Sequence, residues 1–68
     1  METSARNQLR GTVRSVVIGT VMAEVTIDVN GVEIVAAITK GSAERLALAD
    51  GKPAVAIIKA TDVMVGVD

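Results

Sequence analysis

The sequence predicts a small all-β barrel, and three observations carry that prediction. Apolar and polar residues alternate with a period of two over much of the chain, the spacing of strands that bury one face. Asn30-Gly31 stands between two such runs. An Asn-Gly pair in that setting is the strongest short-range hairpin signal, because both central residues of its turn need positive φ. Half of the 68 residues are hydrophobic, yet none is aromatic, so Val, Ile and Ala, the small and β-branched side chains, carry the apolar content.

Gln8 to Ile18 reads as the first strand and closes at Gly19. Arg10, Thr12 and Arg14 alternate there with Leu9, Gly11 and Val13, and Gly11 suggests a bend or bulge where a barrel turns a corner. Thr20 to Val29 is the second strand. Val21, Ala23, Val25, Ile27 and Val29 take one face, and Met22, Glu24, Thr26 and Asp28 take the other. Val32 to Thr39 follows the Asn30-Gly31 turn and pairs antiparallel with the second strand, with Ile34, Ala36 and Ile38 continuing the apolar face. Gly41-Ser42 breaks the alternation. Ser42 to Leu48 is a run of helix formers with Ser42 placed to cap it and Leu46 placed to pack on the strands. Ala49 to Pro53 is a turn. Ala54 to Lys59 is a fourth strand, with Val55 and Ile57 on one face, and Val63 to Val67 is a short fifth. Five strands with one short helix between the third and fourth is the order of an OB-fold-like Greek-key barrel, here a single domain spanning residues 1–68.

A chain this short is marginal alone, and natural domains of its size add a disulfide, a metal or a partner chain. Cysteine and histidine are both absent, so neither a disulfide framework nor a structural zinc site is available and no direct metal-cation ligand set is expected. Association with other copies is the remaining remedy, and the high apolar content fits it. The net charge of −1 argues against non-specific nucleic-acid binding, which needs a basic surface. The polar start Met1-Glu2-Thr3 is not a secretory signal, and no apolar run reaches the ~20 residues of a membrane span. The expected location is the cytoplasm.

Three clusters of donors lie at the edges of apolar runs. Ser4-Ala5-Arg6 offers a hydroxyl, backbone N–H groups and an always-charged planar guanidinium; the alternative is an arm whose Arg is simply solvated. Asn7 and Gln8 suit a structural role, capping strand ends or bridging subunits. Lys59 ends an apolar run before Ala60 and Thr61, and its counter-charge is either an acid such as Asp62 or a bound oxyanion. Thr39 and Ser42 place two hydroxyls at the mouth of the short helix, where Ser42 either caps the helix or meets an anion, or does both. Gly19-Thr20 is a further glycine turn that can leave backbone donors free. Arg6 and Lys59 together would balance a tetrahedral dianion such as molybdate, tungstate or sulfate. A donor-only site disfavours phosphate, which keeps a proton near neutral pH and needs an acceptor. The acids Glu24, Asp28, Glu33, Glu44 and Asp50 form no acid/base pair, and no nucleophile elbow or phosphate loop is present, so no enzymatic activity is expected.

These clusters also carry a resemblance. Ser4-Ala5-Arg6-Asn7-Gln8 with Gly11 three residues on, Ile38-Thr39 with Ser42, and Ile58-Lys59-Ala60-Thr61 followed by Val63-Met64 together make the chain resemble the molbindin (Mop) family of molybdate-binding proteins over essentially its whole length. That family is similar to the molybdate-sensing domain of a transcriptional regulator and to part of some molybdate transporter ATPases. The resemblance implies an OB-like barrel and a homohexamer, a trimer of dimers, that holds molybdate or tungstate at subunit interfaces without an organic cofactor. It implies oxyanion-binding roles for Ser4, Ala5, Arg6, Lys59 and Ala60, with Thr39 and Ser42 supplied by the facing subunit. Ala60, which is Ser in some relatives, would contribute only its backbone N–H. A second class of site near the threefold axis would draw on Gly19, Thr20 and Ser42. With Met1 read as the start of a complete chain, no DNA-binding or ATPase domain accompanies the module, and the expected role is storage or homeostasis of the anion. Two other functions compete. One is a nucleic-acid-binding OB module, which lacks the aromatic stacking platforms that contribute ~1–3 kcal/mol per base. The other is a purely structural oligomerisation domain.

Overall fold

A computed structural model describes residues 1–68. Four strands, β1 (Asn7–Ile18), β2 (Met22–Val29), β3 (Val32–Thr39) and β4 (Pro53–Ile58), form one antiparallel sheet in the order β3-β2-β1-β4. A six-residue helix, α1 (Lys40–Arg45), joins β3 to the turn before β4, and a 3₁₀ turn, Ala60–Asp62, follows β4. The strand β1 spans the whole sheet. Its first half pairs with β4, from Asn7↔Ile58 to Thr12↔Pro53, and its second half pairs with β2, from Thr12↔Asp28 to Ile18↔Ala23.

The Asn30-Gly31 turn forms as the sequence requires, with φ of 52° and 89°, and β3 runs over the expected residues. The inward face of β2 is Ala23, Val25 and Ile27, all buried, which join Val13 and Ala56 in the small interior. Leu9, Val16, Ile34, Ile38 and Leu48 pack around that nucleus.

Several expectations are corrected. The chain forms an open sheet of four strands rather than a five-stranded Greek-key barrel. Val63–Val67 is exposed and adds no ladder, because past the bond from Val63 N–H to the Ala60 carbonyl no backbone hydrogen bond holds it. The bulge falls at Arg14, where the register shifts between Val13 and Ser15, and not at Gly11. Gly11 is needed for a different reason: a Cβ there would lie 2.2 Å from the Asp28 carbonyl oxygen, so β1 and β2 cross too closely for a side chain. The second strand starts at Met22, because Gly19 and Thr20 belong to the turn.

The helix begins two residues before the expected Ser42 and ends at Arg45. Thr39, not Ser42, is its N-cap: Thr39 keeps extended φ/ψ of −71° and 150° while its hydroxyl oxygen accepts from the Ser42 N–H. Ala47 then takes a positive φ of 52°, and the Lys52 ammonium donates to the Leu46 and Ala47 carbonyls, which ends the helix before Leu48. The packing residue of α1 is Ala43, which is buried, whereas Leu46 is half exposed. In β4 the buried position is Ala56, and Ile57 faces outward.

The edges of β3 and β4 are not bonded to one another, so the sheet curls without closing. Between them lies an apolar cavity of about 670 Å³, lined by residues that include Ile34, Ile38, Ala56 and Ile58. Only six residues are buried, and Met64, Val65 and Val67 are each about nine-tenths exposed. The chain therefore leaves much of its apolar surface uncovered.

Candidate functional site

The sheet sorts the donors into two groups at opposite ends of β1. At the first end, Asn7 pairs with Ile58 as the last step of the β1/β4 ladder. Arg6 and Lys59 are the next residues on either side, so the register sets the two cations next to each other. Burial along β1 shows the period: Asn7 and Leu9 turn partly inward, while Arg6, Gln8 and Arg10 turn outward. Ser4 and Ala60 flank this pair, both exposed. Neither Arg6 nor Lys59 has a carboxylate within ion-pair distance, because the chain's one salt bridge is Arg14 to Asp28, 3.3 Å apart. The alternative in which Asp62 neutralises Lys59 is not realised within the chain; Asp62 instead donates its N–H to the Lys59 carbonyl at 2.9 Å.

Backbone donors at this end divide into used and free. The Ala5 N–H donates to the Thr3 hydroxyl oxygen at 3.2 Å. The N–H groups of Arg6, Lys59 and Ala60 make no hydrogen bond within the chain. Two side-chain amides fix the local backbone: Asn7 Nδ2 donates to the Ile58 carbonyl at 3.1 Å, and Gln8 Nε2 donates to the Ala5 carbonyl at 2.8 Å. Sequence reasoning left Asn7 and Gln8 as strand caps or subunit bridges and did not register Thr3. The Thr3-x-Ala5 spacing of a hydroxyl turn was the available signal for the latter.

At the second end, Met22 pairs with Thr39, so the Gly19-Thr20 turn and the start of α1 are neighbours. The Lys40 N–H donates to the Val21 carbonyl at 2.7 Å and the Gly19 N–H to the Met22 carbonyl at 2.8 Å. The Thr39 hydroxyl donates to Ser42 Oγ at 2.8 Å, while the Ser42 N–H donates back to Thr39 Oγ1 at 3.1 Å. In that arrangement Thr39 uses its hydroxyl hydrogen inside the pair, and the Ser42 hydroxyl hydrogen is the one left to point outward. Gly19 uses its N–H in the turn, and Thr20 makes no side-chain hydrogen bond.

The β1/β4 register thus sets Arg6 and Lys59 at one end of β1, with Ser4, Ala5 and Ala60 close to them along the chain, and the β2/β3 register sets Gly19, Thr20, Thr39 and Ser42 at the other end, but within one chain the two groups are not joined. Arg6 and Lys59 have no ion-pair partner and the Thr39/Ser42 pair leaves one hydroxyl hydrogen free, donors suited to a fully deprotonated oxyanion. No group of three or more acidic, His or Cys side chains converges to hold a metal cation. No helix is long and apolar enough to cross a membrane.

Comparison with known proteins identifies the family and the fold. Residues 3–65 match the family described as the TOBE domain. The chain is 48% identical over 69 residues to a probable molybdenum-pterin-binding protein of Haemophilus influenzae, covering all of both chains. The solved structure of a molybdate binding protein from Sporomusa ovata matches with a TM-score of 0.91 at 46% identity, covering 96% of this chain and 97% of that one. MopII from Clostridium pasteurianum matches with the same TM-score of 0.91 at 39% identity, covering 97% of this chain and 100% of that one. The chain belongs to the TOBE-domain family and, within it, to the molbindins (Mop).

Proposed function

We propose that this protein binds molybdate, and tungstate with it, between copies of itself, and that it stores or buffers the anion inside the cell. The observation that carries this reading is the division of its donors. The free cations Arg6 and Lys59 lie at one end of β1 and the Thr39/Ser42 hydroxyl pair at the other, in a molecule 36 Å along its longest axis. A single chain cannot enclose a small tetrahedral guest with both sets, whereas two chains packed end to end can. The cations of one copy then neutralise the dianion, helped by Ser4 and the free N–H groups of Arg6 and Ala60. Ser42, held by Thr39, donates from the facing copy. Ala5 takes part through its N–H by exchanging its Thr3 contact for the anion. Gly19, Thr20 and Ser42 suit a second class of site on the threefold axis of a hexamer, a trimer of dimers.

The apolar surface supports association. Half-closed edges on β3 and β4 flank the apolar cavity, and the tail after Lys59 exposes Val63, Met64, Val65 and Val67. An exposed surface of this kind is covered by a partner in stable proteins. No step of this function is catalytic; residues 1–68 act as one binding unit.

The test is calorimetric titration with molybdate, tungstate, sulfate and phosphate, together with native mass. Heat with molybdate and tungstate, none with phosphate, and a mass six times that of one chain are expected. A protein that releases heat with no oxyanion is a structural oligomerisation domain, and the reading fails.

A further inference from the structure

We infer that Thr3 is an internal competitor of the oxyanion: its hydroxyl oxygen holds the Ala5 N–H within the chain and is displaced when the anion binds, so this side chain lowers the affinity of the Arg6/Lys59 end. The inference rests on the reading of that end given above, in which the Ala5 N–H donates to the ligand.

The β1/β4 ladder stops just short of Ala5. Bonded rungs of an antiparallel pair fall on alternate residues. The Val13 N–H donates to the Lys52 carbonyl at 2.9 Å, one step beyond the Thr12↔Pro53 pair, so Gly11, Leu9 and Asn7 are the bonded positions that follow. The next rung in that series sets Ala5 opposite Ala60, and it is not made. The Ala5 N–H goes to Thr3 Oγ1 at 3.2 Å, and the Ala60 N–H makes no hydrogen bond within the chain. The two strands part here, because β1 begins only at Asn7 and Ala60 opens the 3₁₀ turn. Ala5 is half-buried, and an N–H in that position without its ladder partner takes a local acceptor, here the hydroxyl two residues back.

An oxyanion beside Arg6 and Lys59 is a better acceptor than a neutral hydroxyl, since bonds to an ionised acceptor are about twice as strong. Its oxygen and Thr3 Oγ1 compete for one hydrogen. Displacing Thr3 breaks no strand bond, because the Ala5 carbonyl is held separately by Gln8 Nε2 at 2.8 Å. The exchange costs one exposed neutral hydrogen bond, and a standing competitor of that size eases release of the anion.

Thr3→Val, which keeps the shape and removes the acceptor, and Thr3→Ser, which keeps the acceptor, are titrated with molybdate beside the parent. The Ala5 ¹⁵N–¹H resonance is followed in each, with and without the anion. Thr3→Val should bind about threefold more tightly, the low end for one neutral hydrogen bond, and Thr3→Ser should match the parent. Native mass and thermal unfolding should stay at parental values, because Thr3 is exposed. Before molybdate is added, the Ala5 resonance should differ between parent and Thr3→Val; at saturation that difference should close, because the N–H then meets the anion in both. Parental affinity in Thr3→Val overturns the inference. So does weaker binding, which makes the hydroxyl a ligand, and so does a parental Ala5 resonance that molybdate leaves unmoved. A parent that binds no molybdate removes the functional reading itself, a result distinct from these.

Discussion

The two ends of β1 carry similar polar side chains and present them in different states. At the Asn7 end the amides of Asn7 and Gln8 are engaged with backbone carbonyls, and the charged side chains, Arg6 and Lys59, are left without a counter-ion. At the Ile18 end the hydroxyls of Thr39 and Ser42 are engaged with each other, and the turn N–H of Gly19 is closed on Met22. The difference separates two tasks. The first end supplies uncompensated positive charge, which under the proposed function would set how strongly a dianion is held. The second supplies one directed hydroxyl on a capped helix, which under the same proposal would orient the anion.

The largest test of this contrast is removal of charge from the first end. Arg6→Ala should weaken molybdate binding about 100-fold, the upper range for one charge-assisted hydrogen bond, while thermal unfolding stays near that of the parent because Arg6 is exposed. Arg14→Ala is its control, since the Arg14 guanidinium already faces Asp28, and calorimetry should find its molybdate affinity unchanged. Combining Arg6→Ala with Lys59→Ala should cost less than the sum of the two if both cations face one ligand. Equal losses in Arg6→Ala and Arg14→Ala would make binding a matter of overall charge, and the distinction between the ends would collapse.

A smaller effect is expected at the second end, and it splits between stability and binding. Thr39→Val keeps the shape and removes both the cap acceptor for the Ser42 N–H and the donor to Ser42 Oγ. Loss of an N-cap costs about 1 kcal/mol, read from urea unfolding. Molybdate affinity should fall about tenfold, because Ser42 is no longer oriented. If Thr39→Val binds as tightly as the parent, this end does not touch the ligand, and the facing-copy arrangement has to be redrawn.

Much of the first end was legible in the sequence, and less of the second. Arg6 and Lys59 stand out as cations beside apolar runs, and the ladder that pairs Asn7 with Ile58 makes them neighbours. What residue types alone do not reveal is the use of Asn7 and Gln8, since the acceptors are backbone carbonyls, which every residue has. At the second end, Thr39 and Ser42 are both good caps three residues apart, and the choice between them depends on which residue keeps an extended backbone after β3. Alternation in Val63, Val65 and Val67 reports a demand for burial but names no neighbour, so it suggested a fifth strand that the isolated chain does not form. By contrast, the Asn30-Gly31 hairpin was fully readable, because its turn depends only on the φ values its own two residues accept. Gly11 signalled a backbone irregularity correctly in kind but not in cause: a close strand crossing is a long-range property, set by the Asp28 carbonyl.

The smallest expected effect concerns the one cation that is neutralised within the chain, and it sharpens the contrast with Arg6. Asp28 accepts from the Gly31 N–H at 2.7 Å and from Arg14 at 3.3 Å. The Gly31 hydrogen bond, more than the Arg14 guanidinium, holds its carboxyl below the ordinary carboxylate value, with desolvation opposing. Because the folded state binds this proton less readily than the unfolded chain, the carboxylate adds stability above its ordinary titration range. That contribution is lost as pH falls through this range towards the folded value. Asp28→Asn keeps an oxygen for Gly31 but has no proton to lose, so urea unfolding from neutral pH into the acid range should give a shallower acid slope than the parent. Molybdate affinity should stay at the parental level, since Arg14 and Asp28 belong to neither donor group. Were Asp28→Asn to tighten molybdate binding, the freed Arg14 would be acting on the ligand, and charge at the Asn7 end would no longer be the sole cationic contribution to the site.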